Sequence, residues 1–309
     1  HTSFRPLQED IINHILNQND TLALLPTGGG KSICFQVPAL ASEGICIVVS
    51  PLIALMKDQV EGLKRLDIKA EAIYSGMPAG QIDRVLDNAV FGDLKFLYVS
   101  PERLKTDLFT ERFKRMKPCF VAVDEAHCIS QWGYDFRPSY LQIANLREIK
   151  PELPFIALTA TATPEVMNDI TEKLQFRKGY EQFQKSFARD NLIYFVIKEE
   201  NKNERLLRIF NRVKGTGIVY VRNRKQTEEV AGFLKRNGIN ADHYHAGVPY
   251  DNRSAKQENW IKGSTRIMVA TNAFGMGIDK PDVRAVVHID LPDSPEAYFQ
   301  EAGRGGRDG

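Results

Sequence analysis

The sequence predicts an α/β protein made of two tandem lobes, each a mostly parallel sheet flanked by helices. Short apolar runs alternate with amphipathic stretches along the chain, the pattern of buried parallel strands joined by covering helices. The 309 residues amount to about twice a typical domain. The alternation lapses once, across the polar stretch Phe176–Asn191, and then resumes. That lapse sets a boundary that divides the chain into 1–186 and 187–309.

In the first lobe a helix is expected a few residues after His1. Thr21–Leu25, Ile45–Val49, Ala72–Tyr74, Phe96–Val99, Phe120–Asp124 and Phe155–Leu158 read as buried strands. Helical patterns intervene at Lys31–Ala41, Leu52–Leu66, Ala79–Val90 and Pro164–Leu174. Thr163 followed by Pro164 has the chemistry of a helix start, a hydroxyl cap and then proline in the first turn. In the second lobe, strands are expected at Leu192–Ile197, Ile218–Val221, Ala241–Tyr244, Ile267–Ala270 and Ala285–Ile289. The helices between and after them are expected at Lys202–Val213, Lys225–Asn237, Tyr250–Lys262 and Ser294–Ala302.

Composition narrows the class. Apolar residues make up 43% of the chain, enough for globular cores. With 41 basic and 39 acidic residues the formal charge is only +2, so any basic surface must be local. No apolar run approaches the length of a membrane span, and no basic-then-apolar leader pattern opens the chain. The four cysteines (Cys34, Cys46, Cys119 and Cys128) lack Cys-x-x-Cys spacing and read as free thiols in a reducing cytoplasm. Both ends have the look of cuts, so a longer parent protein is expected.

Three stretches carry chemistry. The first is Pro26-Thr27-Gly28-Gly29-Gly30-Lys31-Ser32, between a predicted strand and a predicted helix. Backbone amides of a glycine turn at a helix N-terminus bind phosphate oxygens; Lys31 would reach the β- and γ-phosphates and Ser32 would ligate Mg²⁺. Leu25 stands where the full phosphate-loop pattern has a glycine. The second is Asp124-Glu125-Ala126-His127 at a strand's C-terminal end, where open α/β sheets bind ligands. Asp124 suits an Mg²⁺-holding role, Glu125 a water-positioning one, and His127 a link to neighbouring motifs. A strand end capped by solvated acids is the plain alternative, and the phosphate loop weighs against it. The third is Gln300–Arg307, whose arginines, Arg304 and Arg307, suit a phosphate-facing finger. A basic tail would be the plainer reading of that stretch taken alone.

Together these motifs resemble the superfamily 2 helicases, and specifically the RecQ family of DNA helicases. The likeness runs from end to end. Phe4-Arg5-Pro6-Leu7-Gln8 is similar to the adenine-recognising motif, which implies that Gln8 reads the base and Arg5 packs against it. Ser50–Gln59 and Ser100–Leu104 are similar to strand-tracking motifs, and Ala157–Thr163, with Thr159 and Thr161, to the motif coupling hydrolysis to unwinding. Ala270–Asp282, including Asp279 as a nucleotide contact, matches closely, and Tyr244–Gly247 less so. The most family-specific stretch is the aromatic loop Cys128–Pro138; Trp132, Phe136 and Arg137 are its candidates for sensing DNA, against the alternative of a structural aromatic plug. Gly305 replaces a common alanine, and Val221 and Asn223 replace a commoner cysteine and serine, while Arg224 is retained.

The resemblance implies two RecA-like domains, ATP and Mg²⁺ as cofactors, and 3′→5′ movement on single-stranded DNA with unwinding of duplexes. It also implies a monomer in the cytoplasm, or in the nucleus of a eukaryote, and no zinc site in this stretch of chain. Two alternatives stay open: an RNA helicase or remodeller on the same core, and a clamp that binds ATP without turning it over.

Overall fold

Strands too apolar to face water dictate the architecture: each must be covered on both faces, and helices supply the cover. The computed structural model describes residues 3–26, 28–133, 135–186, 188–274 and 280–308. The chain divides into two units, His1–Phe187 and Ala188–Gly309, each with its own sheet.

The first unit runs α1 (Gln8–Leu16), β1 (Thr21–Leu24), α2 (Lys31–Ala41), β2 (Ile45–Val49), α3 (Ile53–Arg65), β3 (Ala70–Ile73) and α4 (Ala79–Phe91). It continues with β4 (Phe96–Val99), α5 (Asp107–Arg115), β5 (Pro118–Val123), α6 (Asn145–Ile149), β6 (Phe155–Thr159), α7 (Pro164–Lys173) and β7 (Glu181–Gln184). Seven strands pair in the order β3-β4-β2-β5-β6-β1-β7, every pair parallel. Alternation along each strand splits the side chains between two cores. Ile47, Val49, Val121 and Val123 enter one; Cys46, Val48, Phe120 and Ala122 enter the other. Thr163 accepts a hydrogen bond from the Val166 amide at 3.4 Å, with Pro164 in the first turn of α7, as the sequence predicts.

The second unit contains α8 (Lys202–Arg212), β8 (Thr216–Tyr220), α9 (Arg224–Arg236), β9 (Ala241–Tyr244), α10 (Tyr250–Ile261), β10 (Ile267–Ala270), β11 (Val283–His288) and α11 (Pro295–Ala302). Its strands are also parallel, in the order β11-β8-β10-β9. Asn201, Asn223 and Ser294 cap α8, α9 and α11 by accepting hydrogen bonds from first-turn amides. Trp260 is fully buried, and its indole N–H donates to the Gly217 carbonyl at 3.3 Å.

Two expectations are corrected. Leu192–Ile197 is not a strand: Ile193, Phe195 and Val196 are 79%, 76% and 95% exposed, and the run joins no ladder among the described residues. A strand needs a neighbour to take its backbone hydrogen bonds, and apolar content alone supplies none. The converse occurs at Glu181–Gln184, polar and largely exposed, which becomes β7 because β1 offers it an open edge. Other boundaries shift by a residue or two; Ala72–Tyr74, for example, lies within and just beyond β3.

One buried ionic cluster ties the first unit together at the start of β1. Asp20 is fully buried and accepts from Arg147 Nη2 at 2.9 Å, from the Arg177 amide at 2.7 Å and from the Phe155 amide at 2.8 Å. Arg147 is itself buried and lies over the Phe155 ring at 4.1 Å. Removing the carboxylate strands a guanidinium away from water. Asp20→Ala is therefore expected to destabilise the first unit by about 3–5 kcal/mol, read as a lowered urea midpoint of unfolding.

Candidate nucleotide-binding site

The phosphate loop is shaped by its glycines. Gly28 and Gly30 have φ of 77° and 80°, the left-handed region that other residues adopt only with strain. A Cβ on Gly29 would lie 2.7 Å from the Pro26 carbonyl oxygen, so close approach excludes a side chain there too. The first turn of α2 has no side-chain cap and no acidic residue, so its amides and the positive end of its dipole face the loop. Lys31 Nζ lies 3.4 Å from the Leu25 carbonyl, and Ser32 follows it in the first turn. Thr27 lies outside the described residues.

Arg5 and Gln8 brace this loop from α1 and the residues before it. Gln8 is buried; its amide donates to the Gly30 carbonyl at 3.1 Å and accepts from the Arg5 backbone at 2.8 Å. The Arg5 guanidinium donates to the Gly28 carbonyl. The pair expected to contact a base is thus tied directly to the loop expected to hold its phosphates.

At the C-terminal end of β5, Asp124 is buried and its carboxylate accepts from the Glu125 amide at 3.0 Å. Tyr140 donates its hydroxyl proton to the Asp124 carbonyl at 2.8 Å. Glu125 takes φ 47° and ψ 47°, a left-handed conformation costing about 1–3 kcal/mol for a residue with a side chain. Burial, and then the neighbouring Glu125 charge, push the Asp124 carboxyl up to about 7, against the opposing pull of Lys31. Glu125 Oε2 is buried and accepts no hydrogen bond among the described residues. The buried Asp124 carboxyl, under the influence of Lys31, and the partly buried Glu125 carboxylate beside it offer oxygen ligands of the kind that suits Mg²⁺. Ser32 and Asp124 fit that group.

His127 is also buried, and burial holds its imidazole below the ordinary value, so it is neutral near pH 7. Its Nδ1 is 2.8 Å from Thr159 Oγ1, which donates its own proton to the Thr161 carbonyl at 3.1 Å. The hydroxyl has one proton to give, so Nδ1 carries the ring proton and donates to Thr159. The acidic box is thereby wired to Thr159 and Thr161 at the end of β6.

The aromatic loop leaves the box directly. Trp132 stands 77% exposed at its tip, and Phe136 is half-buried. Arg137 is engaged on two sides: Nη2 pairs with Asp135 at 2.9 Å, and Nη1 donates to the Pro51 carbonyl at 3.0 Å. The loop's root is held by Ser130, which donates to Asp169 on α7 at 2.6 Å and accepts from the Trp132 amide at 3.2 Å. Lys173 pairs with Asp169 at 2.8 Å. Tyr140, Ser130 and Asp169 escaped the sequence reading because their partners lie up to 39 residues away and no local pattern marks them.

In the second unit, Arg304 is buried beside Tyr220, and both Arg304 and Arg307 line a small cleft with Ile218, Trp260, Phe274 and Lys280. The turn that carries them is pinned: Gly306 adopts φ 54°, its amide donates to Val283, and Asn191 donates to its carbonyl at 2.7 Å. Asp279 lies outside the described residues, with the rest of Gly275–Asp279.

Residues 5–170 match the DEAD/DEAH box helicase family, and residues 201–309 match the helicase conserved C-terminal domain. The chain is 44% identical over 307 residues to the ATP-dependent DNA helicase RecQ of Haemophilus influenzae, covering 99% of this chain and 49% of that protein. It is 45% identical over 309 residues to RecQ of Bacillus subtilis, covering 99% and 52% respectively. The chain thus spans about half the length of these relatives. Among solved structures, the DUF1998 helicase MrfA bound to DNA superposes with a TM-score of 0.77 at 20% identity, over 97% of this chain and 47% of that one. With such neighbours, the two helix-flanked parallel sheets are tandem RecA-like domains. The chain belongs to the DEAD/DEAH box helicase family, and within it is similar to proteins named as RecQ DNA helicases.

Proposed function

We propose that this chain is the motor core of an ATP-dependent DNA helicase that moves 3′→5′ along single-stranded DNA and opens duplexes. The observation that carries this reading is the buried Asp124–Glu125 pair, short of positive charge, at the strand end served by Lys31. Residues 1–186 would supply the adenine motif, phosphate loop, acidic box and aromatic loop; residues 187–309 would supply the arginines. The relatives named as DNA helicases favour DNA over RNA as the polymer.

The amides of Gly28, Gly29 and Gly30, with Thr27, would cradle phosphates, and Lys31 would reach the transferring group. Gln8 and Arg5 would select the base, and Asp279 would add a nucleotide contact from the second domain. Mg²⁺, held by Ser32 and Asp124, would neutralise the charge on the β- and γ-phosphates. Glu125 would orient the attacking water. Arg304 and Arg307 would face the γ-phosphate across closed domains, an effect of about 10³–10⁵ in rate, or about 4–7 kcal/mol of barrier. Turnover calls for no zinc, and a monomer in the cytoplasm or nucleus suffices.

Coupling to DNA would run through the acidic box. An exposed indole can stack on a base for about 1–3 kcal/mol without reading sequence. Trp132, Phe136 and Arg137 would sense the strand at one end of the box, while His127, Thr159 and Thr161 would report the state of the nucleotide. Opening one base-pair step costs about 1.4 kcal/mol, so about ten steps need on the order of 14. Repeated closure on ATP would have to supply that.

Three substitutions test the assignments in an ATPase assay with and without a single-stranded oligonucleotide. Lys31→Ala should abolish turnover while circular dichroism stays unchanged; retained hydrolysis would remove the phosphate-loop role. Trp132→Ala should keep basal hydrolysis but lose stimulation by DNA, and normal stimulation would count against a sensor. Arg307→Ala should bind nucleotide normally yet lose about 10³ in kcat. A collapse of nucleotide affinity would instead make Arg307 a binding group and pass the finger role to Arg304.

A further inference from the structure

In the second unit, one cluster of side chains carries ligand chemistry that the roles proposed above do not call on. His243 lies in β9, the edge strand of its sheet, and His245 follows just past the strand's end. Residues two apart on an extended chain project to the same side, and the two rings stack with centroids 5.8 Å apart and planes at 27°. α9 packs against β9 and brings Glu228 to them, with Oε1 at 3.4 Å from His245 Nε2. One ligand atom from each of the three lies within 4.8 Å of the others, the only such trio of His, Cys, Asp or Glu among the described residues.

We propose that Glu228, His243 and His245 form a binding site for a divalent transition-metal cation, with Zn²⁺ the best match. Two imidazoles and a carboxylate suit zinc, whereas Mg²⁺ and Ca²⁺ prefer oxygen alone. Tetrahedral bonds of about 2.0–2.2 Å set ligand atoms roughly 3.3–3.5 Å apart. The Glu228–His245 pair already has that spacing at 3.4 Å, and rotation of the His243 ring closes the rest. Asp242 Oδ1 lies 3.4 Å from His243 Nδ1, the carboxylate–imidazole arrangement that turns Nε2 toward a metal. Three protein ligands leave a fourth position for water.

Several features weaken the site without removing it. Lys256 is nearby, but its ammonium is paired with Asp242 at 2.6 Å. Arg224 approaches Gly247, where a Cβ would sit 2.9 Å from its Nη1. The Gly247 amide donates to His245 Nδ1 at 3.1 Å. Ligation through Nε2 moves the ring proton to Nδ1, so that amide must release its bond. A modest, reversible affinity follows, unlike that of a zinc on which folding depends. The proposal departs from the zinc-free expectation drawn from the family resemblance, and it is independent of the motor.

Titration of the purified chain with Co²⁺ in Mg²⁺-containing buffer, followed by Zn²⁺, reads the site directly, because bound Co²⁺ absorbs in the visible and Zn²⁺ displaces it. The expected result is a single saturating equivalent, weakened at least about tenfold in Glu228→Gln and in His243→Gln. Zn²⁺ should raise the Tm of the unsubstituted chain and leave that of either variant unmoved. Glu228 is exposed and His243 partly so, and unchanged circular dichroism shows that each variant folds. No Co²⁺ uptake, or equal affinity in both variants, overturns the site.

Discussion

Two carboxylates held out of water at the end of one strand set the terms for the first unit. Asp124 and Glu125 sit where β5 stops and the chain must turn, and Glu125 takes a left-handed backbone to make that turn. Burial, and then the Glu125 charge, push the Asp124 carboxyl up, and Lys31 offsets this only in part. The neighbouring structure is arranged around that imbalance. Tyr140 fixes the Asp124 carbonyl, His127 stays neutral and bonds to Thr159, and the phosphate loop presents a lysine and a helix N-terminus. A Mg²⁺-bound nucleotide would meet the charge that the protein leaves unmatched.

The acidic box and the aromatic loop are tied together through the same short stretch of chain. The aromatic loop begins at the residue after His127, and its root is bonded to α7, which follows the Thr159–Thr161 segment. Hydrogen bonds of 2.6–3.1 Å join the loop's root to α7, and His127 through Thr159 to Thr161. Trp132 remains exposed, whereas Arg137 is engaged by Asp135 and Pro51 and braces the loop.

In the second unit the arginines are held rather than trailing. Gly306 needs its positive φ, and Arg189 and Asn191 donate to carbonyls of the Gly303–Gly306 turn. The structural role of that turn is clear from the bonds within its own unit, where Glu301 also pairs with His288 at 2.8 Å. At the opposite edge of this sheet, β9 carries His243, with His245 just past its end, and both face Glu228 from α9.

Much of this was legible in the residues. The βα rhythm follows from apolar periodicity, and Ile45–Val49, Phe96–Val99, Lys31–Ala41, Ala241–Tyr244 and Ile267–Ala270 form as expected. The phosphate loop and acidic box are contiguous motifs whose chemistry resides in residue type and spacing. Pairing is a different matter, because a strand is defined by its neighbour. Apolar Leu192–Ile197 therefore stays unpaired among the described residues, while polar Glu181–Gln184 joins β1. Contacts such as Ser130 with Asp169, Tyr140 with Asp124 and Asp20 with Arg147 and Arg177 depend on strand order and register. Local sequence determined what each segment can do; only tertiary structure decided which segments meet, because meeting depends on partners distant along the chain.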